Sequence, residues 1–336
     1  MTKVAVLGSG AWGVALGILL AENGNDVTMW TLLENEAKML KEDRENKVSL
    51  PGVKLHDSMK VTTDLEEAAK DKDVIVLATA SRFIRSTSAK IKDYVKENQI
   101  IVNVSKGIEE STLMTMTDII NDEIPGCHAV VLSGPSHAEE VGRGLPTTCV
   151  VGANDMDVAK FVQDIFMNNR FRVYTSPDVL GIELGGALKN VIALAAGMAD
   201  GIGCGDNTKA ALITRGIKEI TRLGIAMGGK AETFAGLTGI GDLIVTCASM
   251  HSRNRRAGIL IGEGKTMDEA MTAVNQVVEG VYSAKAAILL AEKYNVSMPI
   301  VTEVNKVLFE NKSVKESLED LMVRDKTSEI TVDTWQ

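Results

Sequence analysis

Cysteine, proline and basic charge are all scarce in this chain, and each scarcity excludes a class of protein. The four cysteines among 336 residues, Cys127, Cys149, Cys204 and Cys247, form no Cys-x-x-Cys pair, and the four histidines add no metal-ligand spacing. That argues against a disulfide scaffold or a metal module and for buried, reduced thiols in a cytosolic protein. The six prolines build no low-complexity linker, and no internal repeat is present. Lysine and arginine number 36 against 45 acidic residues, a formal charge of −9. A general nucleic-acid binder normally shows a basic surface, so none is expected here, although a local basic pocket is compatible with this balance. Long uninterrupted apolar runs are missing too. Val4–Leu7 stops at Gly8, too short for a signal-peptide core. Leu180–Ala199, the most apolar later stretch, carries Glu183, Lys189 and Asn190 and does not read as a membrane span. A cytoplasmic location without membrane insertion is the expectation.

What remains is an ordinary soluble composition, 45% hydrophobic and 24% charged with thirty glycines. At about 100–200 residues per domain the length suggests two domains, each able to bury its own core. In the first half, Val4–Leu7, Asp26–Trp30, Asp73–Ala78, Ile100–Val104, Ala129–Leu132, Thr147–Val151 and Phe171–Tyr174 read as strands. Helical patterns lie between them, beginning with one from about Ala11 to Asn23. Near-continuous Val/Ile/Leu strands separated by helices predict a doubly wound, mostly parallel α/β sheet of Rossmann type. From Pro177 the strand signal fades. Asp178–Ala199, Thr208–Met227, Met267–Val278, Tyr282–Lys293 and Pro299–Glu310 read as helices. The chain is therefore divided into a dinucleotide-binding domain over 1–180 and an all-α domain over 181–336.

Gly8-Ser9-Gly10-Ala11-Trp12-Gly13 is a G-x-G-x-x-G turn between the first strand and the first helix. The first glycine permits a tight turn, the second lets a pyrophosphate approach the backbone, and the third allows close helix–sheet packing. Choice between NAD and NADP usually rests on an acid at the end of the second strand. Here that place holds Thr31-Leu32-Leu33, with no acid to repel a 2′-phosphate and no arginine to bind one. The sequence leaves the choice open.

Three later segments put polar groups in small-residue or apolar surroundings. Lys189 lies within Leu184–Ile192, where an amine is costly unless it is paired, placed in a cleft or snorkelling to water. Asp242 follows Gly239-Ile240-Gly241 and would suit a helix N-cap. Ser252-Arg253-Asn254-Arg255-Arg256 is either an anion pocket or a solvated turn. Ser105-Lys106-Gly107 and Gly134-Pro135-Ser136 each follow a strand, which places both loops at the cofactor cleft.

These blocks resemble the bacterial NAD(P)-dependent glycerol-3-phosphate dehydrogenases. The resemblance rests on GSGAWG at 8–13, VSKGIE at 104–109, LSGPSHAEEV at 132–141 and ELGGALKNVIALAAG at 183–197. It continues through GDNTKAALITRGIKEI at 205–220, GIGDLIVTC at 239–247, SRNRRAG at 252–258 and QVVEGV at 276–281. It implies a cytoplasmic homodimer that uses NAD(H) or NADP(H) to reduce dihydroxyacetone phosphate to sn-glycerol 3-phosphate for phospholipid synthesis. Lys189 matches the catalytic lysine, acting as proton donor in reduction and acceptor in oxidation. Lys106 matches a residue touching both cofactor and substrate. Gly134, Ser136, Asp242, Ser252, Arg253 and Asn254 match substrate-binding positions. Gly8, Ser9, Gly10, Ala11, Trp12, Gly13, Ala138, Arg253, Val277 and Glu279 match cofactor contacts, and Asn190 and Thr246 match further polar positions of the site in eukaryotic relatives. The resemblance implies no metal. Two positions depart from the pattern. Thr31-Leu32-Leu33 replaces a basic residue or His, and His137 replaces a common Phe as a variation at the cleft edge. Two other readings, a sister hydroxyacid dehydrogenase and a nucleotide-sensing regulator, fit less well. GIGDLIVTC and SRNRR disfavour the first, and the presence of Lys106, Lys189, Asp242 and Arg253 disfavours the second.

Overall fold

A computed structural model describes residues 1–329. Its strands are Lys3–Leu7 (β1), Asp26–Trp30 (β2), Lys60–Thr62 (β3), Val74–Leu77 (β4), Ile100–Asn103 (β5), His128–Ser133 (β6), Thr147–Gly152 (β7) and Phe171–Ser176 (β8). They join in the order β3-β2-β1-β4-β5-β6-β7-β8. Every neighbour pair is parallel except β6–β7. The sheet is buried on both faces, so alternation disappears from its central strands: Val4 to Leu7 and Val74 to Leu77 are fully buried. Helices Ala11–Glu22 (α1), Glu34–Glu42 (α2), Leu65–Ala69 (α3), Ile84–Ile91 (α4), Met116–Glu123 (α5), Ala138–Gly142 (α6) and Met156–Phe166 (α7) form the connections. The chain runs from β1 outward through β2 and β3, then returns to lay β4 on the other flank of β1. That reversal opens a crevice at the carboxyl ends of β1 and β4.

The second half is helical, as expected. It comprises Val179–Gly201 (α8), Asp206–Ala226 (α9), Ala231–Phe234 (α10), Asp242–Ala248 (α11), Arg253–Gly262 (α12), Met267–Val274 (α13), Glu279–Lys293 (α14), Pro299–Phe309 (α15) and Val314–Met322 (α16). Helix α8 is its axis. Every residue from Gly181 to Ala199 is buried, with α9, α11, α12 and α14 packed around it and its start against β6. Its length and apolarity would suit a membrane span, but 89% of its most apolar window lies inside the protein; it is a core helix. Helices α8 and α12 touch backbone to backbone. A Cβ on Gly197 would lie 2.1 Å from the Arg255 carbonyl oxygen, and one on Gly258 would lie 2.3 Å from that of Leu194.

Several expectations need correction. Strand β3 was not anticipated, because three residues of an edge strand carry too short a pattern. The helix expected over Met267–Val278 stops at Val274, where Asn275 turns left-handed at φ 52° and caps it. Helix α14 consequently begins at Glu279, before Tyr282. Residues 242–248 and 253–262, for which the sequence motifs set no helix bounds, are α11 and α12. Of the four free cysteines only Cys149 and Cys247 are buried; Cys127 and Cys204 are half-buried. Residues 330–336 of the expected helical domain lie outside the described residues.

Candidate active site

The glycine turn joins β1 to α1 and fits a dinucleotide. Gly8 adopts φ +120°, and a Cβ there would stand 2.7 Å from the Ala78 carbonyl oxygen, so the turn lies against the end of β4. A Cβ on Gly13 would meet the Gly8 carbonyl oxygen at 2.0 Å, which presses the helix onto the turn. Beside Gly10, by contrast, there is open space. Gly10 caps α1 without any side-chain hydrogen bond, leaving the first amides of the helix for an anion. Ala11 and Trp12 line this turn half-buried. Ser9 is buried, and its Oγ donates to Glu36 Oε2 at 2.6 Å. Thr31 Oγ1 donates to the same oxygen at 2.5 Å, and Asn46 Nδ2 donates to Glu36 Oε1 at 3.0 Å. The end of β2 therefore does hold an acid. It comes from the first turn of α2, folded back, where a search confined to the strand end misses it.

Across the crevice two lysines converge on one carboxylate. Lys189, midway along α8 and 6% exposed, donates to Asp242 Oδ1 at 2.5 Å and Thr246 Oγ1 at 2.7 Å. Lys106, on the loop after β5, donates to Asp242 Oδ2 at 2.6 Å and the Gly134 carbonyl at 3.1 Å. Thr246 Oγ1 in turn donates to the Asp242 carbonyl at 2.6 Å. A snorkelling Lys189 is thereby excluded. So is an N-cap role for Asp242: Gly241 is already helical at φ −61°, ψ −51°, and the wide helical turn over Leu237–Gly241 runs directly into α11.

Burial pushes the Lys189 pKa down to about 8, with neighbouring Lys106 adding to the fall and Asp242 opposing it. Burial works against the charge of Asp242, yet Lys106 and Lys189 together hold its carboxyl below the usual range. The trio carries one net positive charge in a cleft, suited to an anion.

The supporting groups explain why Lys106 points where it does. Buried Asn103 accepts from the Ser105 amide at 3.0 Å and donates to the Ser105 carbonyl at 2.9 Å, and its Nδ2 also reaches Glu183 Oε1 at 3.3 Å. Glu183 further accepts from the Thr117 amide at 3.0 Å and from the Thr117 hydroxyl. Sequence reasoning missed this role for Glu183, although a lone carboxylate in an apolar helix is a signal that it must be paired. Gly134 takes φ +148° so that its backbone can pass Cys149, and Ser136 Oγ donates to the Gly134 carbonyl at 3.0 Å. Ala138 is buried at the first position of α6. His137 precedes it, its ring centroid 5.7 Å from that of His251.

The Ser252–Arg256 segment is neither a pure clamp nor a loose turn. Ser252 caps α12, accepting from the Arg255 amide at 3.2 Å. Arg255 is committed to Asp200 and the Ala248 carbonyl. Asn254 is buried, donating to Asn190 Oδ1 at 2.9 Å and accepting from the Gly280 amide at 2.9 Å; it fastens α8, α12 and α14 together. Arg253 is exposed at the start of α12 and makes no hydrogen bond or ion pair among the described residues. Glu279, at the start of α14 after half-buried Val277, accepts from the Ser81 amide at 3.1 Å and from Ser81 Oγ at 2.5 Å. It thereby ties the helical half to the loop beyond β4.

Comparison with known proteins identifies the family. The profile of the NAD-dependent glycerol-3-phosphate dehydrogenase N-terminus matches residues 3–159, and that of the C-terminus matches residues 178–319. The glycerol-3-phosphate dehydrogenase (NAD(P)+) of Fusobacterium nucleatum is 62% identical over 332 residues, 98% of this chain and 99% of its own. That of Agathobacter rectalis is 62% identical over 336 residues, the whole of both chains. The crystal structure of glycerol-3-phosphate dehydrogenase from Coxiella burnetii superposes with a TM-score of 0.93 at 33% identity, covering 96% of this chain and 99% of that one. With both halves of the chain matched, it belongs to the NAD-dependent glycerol-3-phosphate dehydrogenase family of NAD(P)-linked oxidoreductases.

Proposed function

We propose that the chain reduces dihydroxyacetone phosphate to sn-glycerol 3-phosphate, the backbone precursor of phospholipids, with Lys189 moving the proton. The observation that carries this reading is the Asp242 carboxylate held between Lys106 and Lys189. The turn from Gly8 to Gly13 would hold the dinucleotide, which when bound would supply the hydride. The Lys189 ammonium then stabilises the charge developing on the ketone oxygen and donates its proton there. A pKa of about 8 leaves Lys189 able to give a proton in reduction and to accept one in oxidation. Asp242 opposes the loss of charge from Lys189 and aims both amines. Arg253, exposed and without a hydrogen bond or ion pair among the described residues, suits the substrate phosphate, because a guanidinium fork matches phosphate oxygens. Asn254, with its carbonyl oxygen and one N–H already used, positions α12 and Asn190 and keeps one N–H for the substrate.

The family resemblance supports a cytoplasmic homodimer acting on a free small molecule. The charge of −9 supports the absence of a nucleic-acid partner. The test follows absorbance at 340 nm with dihydroxyacetone phosphate and reduced cofactor. Lys189→Ala should abolish turnover while cofactor binding, measured by fluorescence, stays close to wild type. Near-normal turnover in that variant would remove Lys189 from the mechanism.

A further inference from the structure

The carboxylate of Glu36 stands at the carboxyl end of β2 beside the glycine turn, and the side chains around it are arranged to keep it there. Three of the roughly four lone-pair positions of a carboxylate are taken, by Ser9 Oγ, Thr31 Oγ1 and Asn46 Nδ2. Asn46 Nδ2 also reaches the Ser9 carbonyl at 2.7 Å, locking the acid to the turn itself. Ser9, Thr31 and Asn46 are buried, whereas Glu36 is only half-buried. One side of the carboxylate is thus left for an incoming hydroxyl donor.

In parallel-sheet dinucleotide sites an acid at this strand end receives the adenosine ribose 2′-hydroxyl. Thr31 occupies that sequence position here and hands the role on by donating to Glu36. A 2′-phosphate would bring nearly two negative charges against the same carboxylate. Among the described residues no lysine or arginine pairs with this carboxylate. Residues 31–37 contain no lysine or arginine, and Leu32 and Leu33 are exposed apolar side chains. Arg44 is spent on the Met59 and His56 carbonyls, and Lys47 on Asp43.

We infer that Glu36 is the residue that selects an unphosphorylated adenosine ribose, so that this chain prefers NADH to NADPH. The inference rests on the dinucleotide site at the glycine turn and not on the identity of the reducible substrate. Fluorescence titration of the full-length protein with NADH and with NADPH, without substrate, tests it directly, and kcat/KM with each cofactor follows. Wild type should bind NADH at least about tenfold more tightly than NADPH. Glu36→Gln should narrow that ratio several-fold, mainly by improving NADPH binding. A purely structural role for Glu36 would weaken both cofactors in proportion and leave the ratio unchanged, which overturns the inference. Equal or tighter NADPH binding by wild type overturns it as well. Leu32→Arg leaves the Glu36 network intact. Should Glu36→Gln fail to fold, this variant must raise NADPH affinity relative to NADH; an unmoved ratio refutes the placement of the ribose here. Selective NADH binding without turnover of dihydroxyacetone phosphate would instead strike the substrate assignment.

Discussion

Replacing Asp242 by Asn keeps the side-chain shape but removes the negative charge between two ammonium groups, and the consequence can be worked from the site. Lys189 contacts Oδ1 at 2.5 Å and Lys106 contacts Oδ2 at 2.6 Å. Burial has already brought the Lys189 pKa down to about 8 against the pull of Asp242. Loss of an opposite charge at such range lowers an amine pKa by about 1–3 units. At pH 7.5 the protonated fraction of Lys189 would fall from about three-quarters to between roughly a quarter and less than one percent. If protonated Lys189 is the acid for reduction, kcat/KM at that pH drops by about 3- to 200-fold and recovers on acidification. The assay is the pH profile of kcat/KM for dihydroxyacetone phosphate reduction in both proteins; the substrate's own titration is common to both and cancels. In wild type the rate falls as pH rises through about 8, because the acid form is lost. In Asp242→Asn the same fall should come about 1–3 units lower. A variant profile whose midpoint stays at or above that of wild type would refute the electrostatic coupling.

Three further outcomes test other parts of the structure. Arg253→Ala should mainly raise the KM for dihydroxyacetone phosphate, with a smaller effect on kcat; an unchanged KM places the phosphate elsewhere. Gly258→Ala sets a Cβ 2.3 Å from the Leu194 carbonyl oxygen. The variant should lose about 1–3 kcal/mol of stability in urea unfolding and raise the KM for dihydroxyacetone phosphate as well, since α12 carries Arg253; no change in either would show that the helices can part at no cost. Buried Glu219 accepts from the Ile300 and Val301 amides at 2.8 and 3.3 Å, and burial pushes its pKa up to about 7. A carboxyl raised in the folded state favours folding at low pH and loses that advantage as pH climbs from about 4.5 to 7. Glu219→Gln should therefore gain on wild type between pH 5 and pH 8, by up to about 3 kcal/mol. A difference independent of pH would contradict the shift.

Much of this was legible in the chain because the physics was local. Val4–Leu7 and Asp73–Ala78 announce themselves as strands by continuous apolar residues, and the glycine turn by the spacing of three residues without Cβ. Lys189 stood out because an amine inside an apolar helix needs a reason. The partner of that amine was harder to read. Asp242 lies 53 residues downstream, and its local context equally suits a cap, so only the packing of α11 on α8 decides between the two. Glu36 shows the same limit. In sequence it is one of several acids on a polar helix, and its meaning comes from Ser9, 27 residues earlier. The left-handed Asn275, which ends α13 and sets where α14 begins, left no periodic trace.

The bridge at Asp242 also has a bearing on how the enzyme comes into being on the ribosome. Its three members leave the tunnel in the order Lys106, Lys189, Asp242, the first preceding the last by 136 residues. A growing chain completed through Ser176 already holds the glycine turn and every strand of the sheet, yet it contains neither Lys189 nor the Asp242 carboxylate that pairs with it. The three-residue cluster therefore closes only after α8 through α11 have been added to the sheet.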